Sequence, residues 1–180
     1  MTTLRFVQAM ALAALAATAQ QDGSKQRPSQ IGSAANPVPP FSCPVTRPPV
    51  QVFVPPAPYT TELPQGAFWV GTEKLWTVLR DPEVWYWTPR RPGREHDMTN
   101  KVFWWRVGYD WRAEPRPKLI VSGRRLDGRA PPLEVSRATN AYTGTSSMLV
   151  TVYVPTPGCW EITGDYQGDK LSFVTWVVPH

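Results

Sequence analysis

The stretch Val154-Pro155-Thr156-Pro157-Gly158-Cys159-Trp160-Glu161-Ile162-Thr163-Gly164, followed by Leu171-Ser172-Phe173-Val174-Thr175-Trp176-Val177-Val178, reads as a terminal β-hairpin whose first strand carries a cysteine. Gln167-Gly168-Asp169 supplies the turn, with Gly168 able to take the positive φ that short hairpin loops demand. Side chains alternate across a strand, so Trp160 and Ile162 share one face, and Cys159, Glu161 and Thr163 the other. Trp160 is placed to plug a core while Cys159 points outward. A one-residue slip in register would exchange them.

Upstream of the hairpin the same texture repeats. Short aromatic or β-branched runs, bounded by Gly, Pro, Asp and Asn, recur at roughly ten-residue spacing, and no segment sustains a helical period. The expected strands are 67–70, 74–79, 84–87, 102–107, 118–126, 133–138, 147–154, 160–166 and 170–178. In the seventh, Met148, Val150, Val152 and Val154 alternate with Leu149, Thr151 and Tyr153, so one face is fully apolar, as in a central strand. The expected fold class is all-β, an antiparallel β-sandwich over residues 65–180.

Residues 1–19 read as a signal peptide: Arg5 precedes an apolar run, and Ala17-Thr18-Ala19 fits the small-x-small pattern, placing cleavage near Gln20. The apolar run is short for a membrane span, which needs about 20 residues. The competing reading is an uncleaved anchor. After cleavage no transmembrane segment is expected, and the chain is expected to be secreted or periplasmic, with association at the envelope as the variant of that reading. In an oxidising compartment paired thiols persist, so Cys43 and Cys159, the two cysteines of the chain, are expected to form a disulfide. The other reading of the pair is two unbonded, buried thiols.

Between the leader and the sandwich, residues 20–64 are dense in proline, with Pro37-Val38-Pro39-Pro40, Pro48-Pro49 and Pro55-Pro56-Ala57-Pro58 as landmarks. Proline fixes φ and removes a donor, so this segment forms an extended tail rather than helix or central strand. Disorder is expected before about residue 41. Phe41-Ser42-Cys43-Pro44-Val45 is the point where the tail is pinned.

Composition narrows the function. The 180 residues are 42% hydrophobic and 12% aromatic, with nine tryptophans, enough for one well-filled domain. The formal net charge of +5 is spread along the chain, and no nucleic-acid-binding pattern results. Two cysteines cannot build a four-ligand structural zinc site. Glu95-His96-Asp97 lacks metal-ligand spacing and reads as a solvated loop, so neither metal nor cofactor is expected. There is no Gly-x-Ser-x-Gly elbow, and an oxidised Cys159 is no nucleophile. Glu73, Glu83, Asp110, Glu134 and Glu161 are the acids from which a sugar-hydrolysing pair would have to come, and their separation in space decides that chemistry. Gly123 to Arg129 is a basic turn that bends at Asp127-Gly128.

The aromatic clusters Val84-Trp85-Tyr86-Trp87 and Phe103-Trp104-Trp105-Arg106 carry two readings. In one, Trp85, Trp87, Trp105, Trp111 and Arg106 form a ligand platform that stacks on sugars or proline-rich peptides. In the other, one face of each strand fills the core and the tail covers the opposite face. Alternation sets Trp85 and Trp87 against Tyr86, and Trp104 against Phe103 and Trp105.

Gly71 to Leu79 (GTEKLWTVL), Phe103 to Val107 (FWWRV), Leu119 to Leu133 (LIVSGRRLDGRAPPL) and Pro155 to Val177 (PTPGCWEITGDYQGDKLSFVTWV), after Cys43-Pro44-Val45-Thr46, together resemble a family of uncharacterised secreted bacterial proteins. That family carries the blocks LWT, WWR, GRRLD-x-x-APPL, GCWE-x-TG and L-x-FV in this order. The likeness covers most of residues 43–178, and the cysteine-tryptophan block is its most specific part. It implies export from a bacterium and an immunoglobulin-like domain, and carries no activity. The chain departs from the family in the long tail before Cys43, in residues 80–100, and at Tyr109-Asp110-Trp111-Arg112.

The expected function is a non-catalytic interaction or structural module whose partner is a protein or glycan at the cell envelope. The alternatives are a carbohydrate- or peptide-binding module using surface tryptophans, and a small secreted hydrolase.

Overall fold

In the computed structural model, residues 37–59, 62–87, 100–142 and 145–179 are described. They form ten strands: β1 (Ala67–Gly71), β2 (Trp76–Arg80), β3 (Val84–Trp87), β4 (Asn100–Trp105), β5 (Leu119–Arg125), β6 (Glu134–Val135), β7 (Thr139–Tyr142), β8 (Ser146–Tyr153), β9 (Gly158–Tyr166) and β10 (Asp169–Pro179). The leader and its cleavage point lie outside the described residues, as does the disorder expected before residue 41, save for residues 37–40.

Two sheets pack face to face. The larger runs β1-β2-β4-β8-β6, with β7 also on β8, and the smaller runs β3-β10-β9-β5. The terminal hairpin forms as expected: Tyr166 pairs with Asp169, leaving a two-residue loop in which Gln167 (φ 57°) and Gly168 (φ 94°) both lie in the left-handed region. That double positive φ is the turn whose twist matches antiparallel strands. β8 is central, with Met148, Val150 and Val152 buried on its inner face, and Val154, just past its end, buried as well.

Three details depart from the sequence reading. β3 lies parallel to β10, Val84 opposite Trp176, so the smaller sheet is mixed rather than wholly antiparallel. The segment 133–138 is not one strand. Val135 pairs with Val152 and Thr139 with Leu149, so three intervening residues oppose two, which is a bulge. Ser136 makes it: its N–H donates to Thr151 O and its Oγ accepts from Thr151 N. β7 itself, Thr139-Asn140-Ala141-Tyr142, carries little β-propensity and forms only as an edge beside β8.

Between the sheets, Trp104 is fully buried, and its ring reaches the far sheet at Gly164. A Cβ there would stand 2.6 Å from the Trp104 ring, so Gly164 is the space the indole occupies. Phe173 packs on both Trp104 and Trp85, each at a ring separation of 6.0 Å.

The arm belongs to the same compact unit as the sandwich. Cys43 and Cys159 are disulfide-bonded, with Cα atoms 5.5 Å apart and a sequence separation of 116. The bond lies on the outer face of the smaller sheet, in a buried cluster with Val45, against which Val174 and Trp176 pack. Thr46 then borrows the edge of β10: its N–H donates to Val174 O at 3.0 Å and its Oγ1 accepts from Val174 N at 2.8 Å. Further on, Phe53 and Tyr59 pack over the outer face of the larger sheet, where Trp69, Trp76 and Trp105 form a second buried aromatic layer. Tyr59 meets Trp76 edge-on at 4.9 Å, and its hydroxyl donates to Arg106 O. The expected alternation holds: Trp104 faces inward, Phe103 and Trp105 outward.

Two stability measurements follow from these contacts. Gly164→Ala is expected to lower the unfolding free energy by about 1–3 kcal/mol through overpacking against Trp104. Gly168→Ala meets no neighbouring atom within 4 Å and should cost only about 1 kcal/mol of left-handed strain. Urea midpoints rank the two, and equal costs would contradict the packing assigned to Gly164. Replacing both cysteines with alanine releases a crosslink of 116 residues and should cost up to roughly 4–5 kcal/mol on the chain-entropy model. An unchanged midpoint would show that the arm is not held by the bond.

Candidate functional site

β2 and β4 are hydrogen-bonded neighbours over only two pairs, Trp76 with Trp105 and Thr77 with Trp104. The next carbonyl of β4, that of Phe103, is taken by the Thr77 hydroxyl at 2.7 Å. The ladder stops there, and the remainder of β2 diverges from β4. β1 stays paired with β2 through all five of its residues, so the larger sheet splits between β2 and β4 rather than at its edge.

The split opens a cleft of about 560 Å³. One wall comes from the outer aromatic layer, Trp69, Phe103 and Trp105, and the other from inner residues, Trp85 and Phe173. Volume and lining both match a small-molecule site, which is mostly apolar with a few placed polar groups.

The placed polar group is Glu83. It is only 5% exposed. Its Oε2 accepts from the Arg80 N–H at 2.6 Å, and its Oε1 from Trp85 Nε1 at 2.6 Å. Its backbone carbonyl accepts from Trp176 N–H and from Thr175 Oγ1, which fixes the residue to β10. Burial pushes the carboxyl up to about 7, while the two hydrogen bonds and the nearby Arg80 charge pull the other way. The remaining charged groups of the cleft, Glu62, Arg80 and Lys101, are exposed.

Of the five residues singled out in sequence as a ligand platform, the cleft brings Trp85 and Trp105 together, and does so from opposite layers. Both are buried, so neither offers an open stacking face. Trp87 packs against the inner core. Trp111 lies elsewhere, against Tyr142 and beneath the Arg112 guanidinium. Arg106 sits 5.0 Å over the Tyr166 ring. The five do not form one surface.

Glu83 stood among five candidate acids and nothing local set it apart. Glu73, Asp110 and Glu134 are exposed, and Glu161 pairs with Arg124 at 2.8 Å. In the basic turn Arg125 pairs with Asp127 at 2.6 Å, within the turn itself. Glu95-His96-Asp97 lies outside the described residues. Among the described residues no group of three His, Cys, Asp or Glu side chains is placed to hold a metal ion, and no helix is long and apolar enough to cross a membrane.

Comparison with protein-family models, with curated proteins and with solved structures returned no match.

Glu83 imposes a pH dependence on stability. Its folded value of about 7 lies above the ordinary 4.5, so the folded state holds the proton more tightly. The contribution of Glu83 to stability is then greatest below about pH 4.5 and is lost as pH rises through 7, by roughly 3 kcal/mol in all. Urea unfolding at pH 5 and pH 8 reads this difference. Glu83→Gln should flatten it, and an equal slope in the variant would assign the dependence elsewhere.

Proposed function

We propose that the chain is an exported, non-catalytic recognition module of the bacterial envelope, built as an immunoglobulin-like sandwich, whose binding element is the cleft between β2 and β4. The observation that carries this reading is the cleft itself: an aromatic-lined opening with one buried carboxyl at its base. Catalysis by paired acids, or by a nucleophile and its base, needs at least two groups converging on one reacting atom. Glu83 is the one buried ionisable side chain lining this cleft.

Connectivity supports the immunoglobulin-like reading. β2, β4, β8 and β6 follow the A-B-E-D order of one immunoglobulin sheet, and β5, β9 and β10 the C-F-G order of the other. Two features are particular to this chain. Its cysteine on β9 bonds outward to the arm instead of across the core, and its central tryptophan, Trp104, stands on β4. The disulfide supports an oxidising compartment. The leader pattern and the likeness to secreted bacterial proteins point the same way. A carbohydrate or peptide stacked on open tryptophans is less favoured, because Trp85 and Trp105 are 8% and 6% exposed and reach a ligand only through the cleft.

Expressed with its leader in a bacterium, the chain should be recovered outside the cytosol, beginning at Gln20 and lacking two hydrogens relative to the reduced mass. Recovery in the cytosol with two thiols that alkylate would overturn the export reading. For recognition, Val78, half-buried in the cleft wall, is the residue to enlarge. A small-molecule panel screened by thermal shift should yield ligands that stabilise the wild type and not Val78→Trp. Ligands that stabilise both equally would place binding elsewhere.

A further inference from the structure

The cleft has an unusual balance of groups. Its walls carry five aromatic rings, those of Trp69, Trp85, Phe103, Trp105 and Phe173, and its base carries a carboxyl removed from water. An apolar neutral ligand would seal Glu83 under hydrocarbon with the exposed Arg80 as its nearby counter-charge, which is costly for an ionised carboxylate. An anion would meet it directly. A sugar needs many polar partners, whereas this lining is mostly apolar.

A second polar group lies in the same wall. Trp69 is 5% exposed and lines the cleft, yet its buried indole N–H has no acceptor among the described residues. Trp76, Trp87 and Trp104 share that state, and of the four Trp69 alone lines the cleft. Glu83 already accepts one hydrogen bond on each oxygen and keeps acceptor capacity on both.

We infer that the cleft binds a compact organic cation, an alkylammonium of choline size that also carries an oxygen acceptor. The inference rests on the recognition reading above and names the ligand class of that site. The aromatic lining gives the ammonium a polarisable, weakly hydrated wall, Glu83 supplies the opposite charge in a low-dielectric setting, and the ligand oxygen would take the Trp69 N–H. The cationic side chains of the lining, Arg80 and Lys101, are exposed, where water screens them, as it does Glu62. Arg47 and Asp81, in the segments beside Glu83, pair with each other at 2.6 Å. The ammonium therefore finds its charged partner in the buried Glu83, which Arg80 offsets only in part.

Because Glu83 ionises near neutrality, the preference for a cation should strengthen as pH rises through about 7. The experiment is isothermal titration of the oxidised, leader-free protein with choline and with its neutral isostere 3,3-dimethylbutan-1-ol, at pH 5.5 and pH 8. Choline should bind at least about tenfold tighter than the isostere at pH 8, and the ratio should shrink at pH 5.5. Glu83→Gln should bring the ratio near one at both pH values. Should that variant not fold, the pH dependence of the wild-type ratio carries the same test. Equal binding of the two probes by the wild type at pH 8 would overturn the cation assignment and leave the recognition reading standing. Binding of neither probe, or binding unchanged in Val78→Trp, would remove the cleft as the site altogether.

Discussion

The bond between Cys43 and Cys159 is the constraint on which the outer architecture depends. The arm it holds is rich in proline and so short of backbone donors that it cannot join either sheet as a full strand. It stays in place through side chains and one covalent link. Val45 and the disulfide bury themselves on the smaller sheet, Thr46 takes one position on the edge of β10, and Phe53 and Tyr59 lie over the tryptophans of the larger sheet. A sandwich ordinarily buries one face of each sheet. Here the arm covers part of both outer faces, and the chain supports a second aromatic layer that would otherwise face water.

The two layers meet where β2 and β4 part. Thr77 ends the ladder by taking the Phe103 carbonyl with its side chain, and beyond that point rings from the outer layer and rings from the core line one space. Glu83 sits at the junction because its backbone is held by β10 and its carboxyl by the end of β2 and by Trp85. Its near-neutral ionisation is a consequence of that position, since an exposed glutamate at the same place in sequence would have no desolvation to raise it. The burial that holds this carboxyl neutral at low pH is what makes its ionisation cost stability at high pH.

Most of the frame was legible from periodicity. Alternation in β8 and β9 set which side chains face inward, the hairpin turn was marked by Gly168, and the single pair of cysteines left one disulfide to draw. Face alternation also separated Trp104 from Phe103 and Trp105, and with it the inner layer from the outer. What was not legible depends on contacts distant in sequence. The bulge at Ser136 exists because of Thr151, and the parallel course of β3 because of β10. The cleft depends on where a ladder stops, which no local pattern records. Among five acids only Glu83 is enclosed, and its neighbours in the chain, Pro82 and Val84, gave no sign of it.

The central claim is that the arm is part of the folded body and not an appendage to it. Hydrogen–deuterium exchange of the oxidised protein, resolved by residue, tests this directly at Thr46, whose amide donates to Val174 O. The account predicts that Thr46 exchanges as slowly as the neighbouring amides of β10. Exchange at the rate of an unstructured peptide would contradict it.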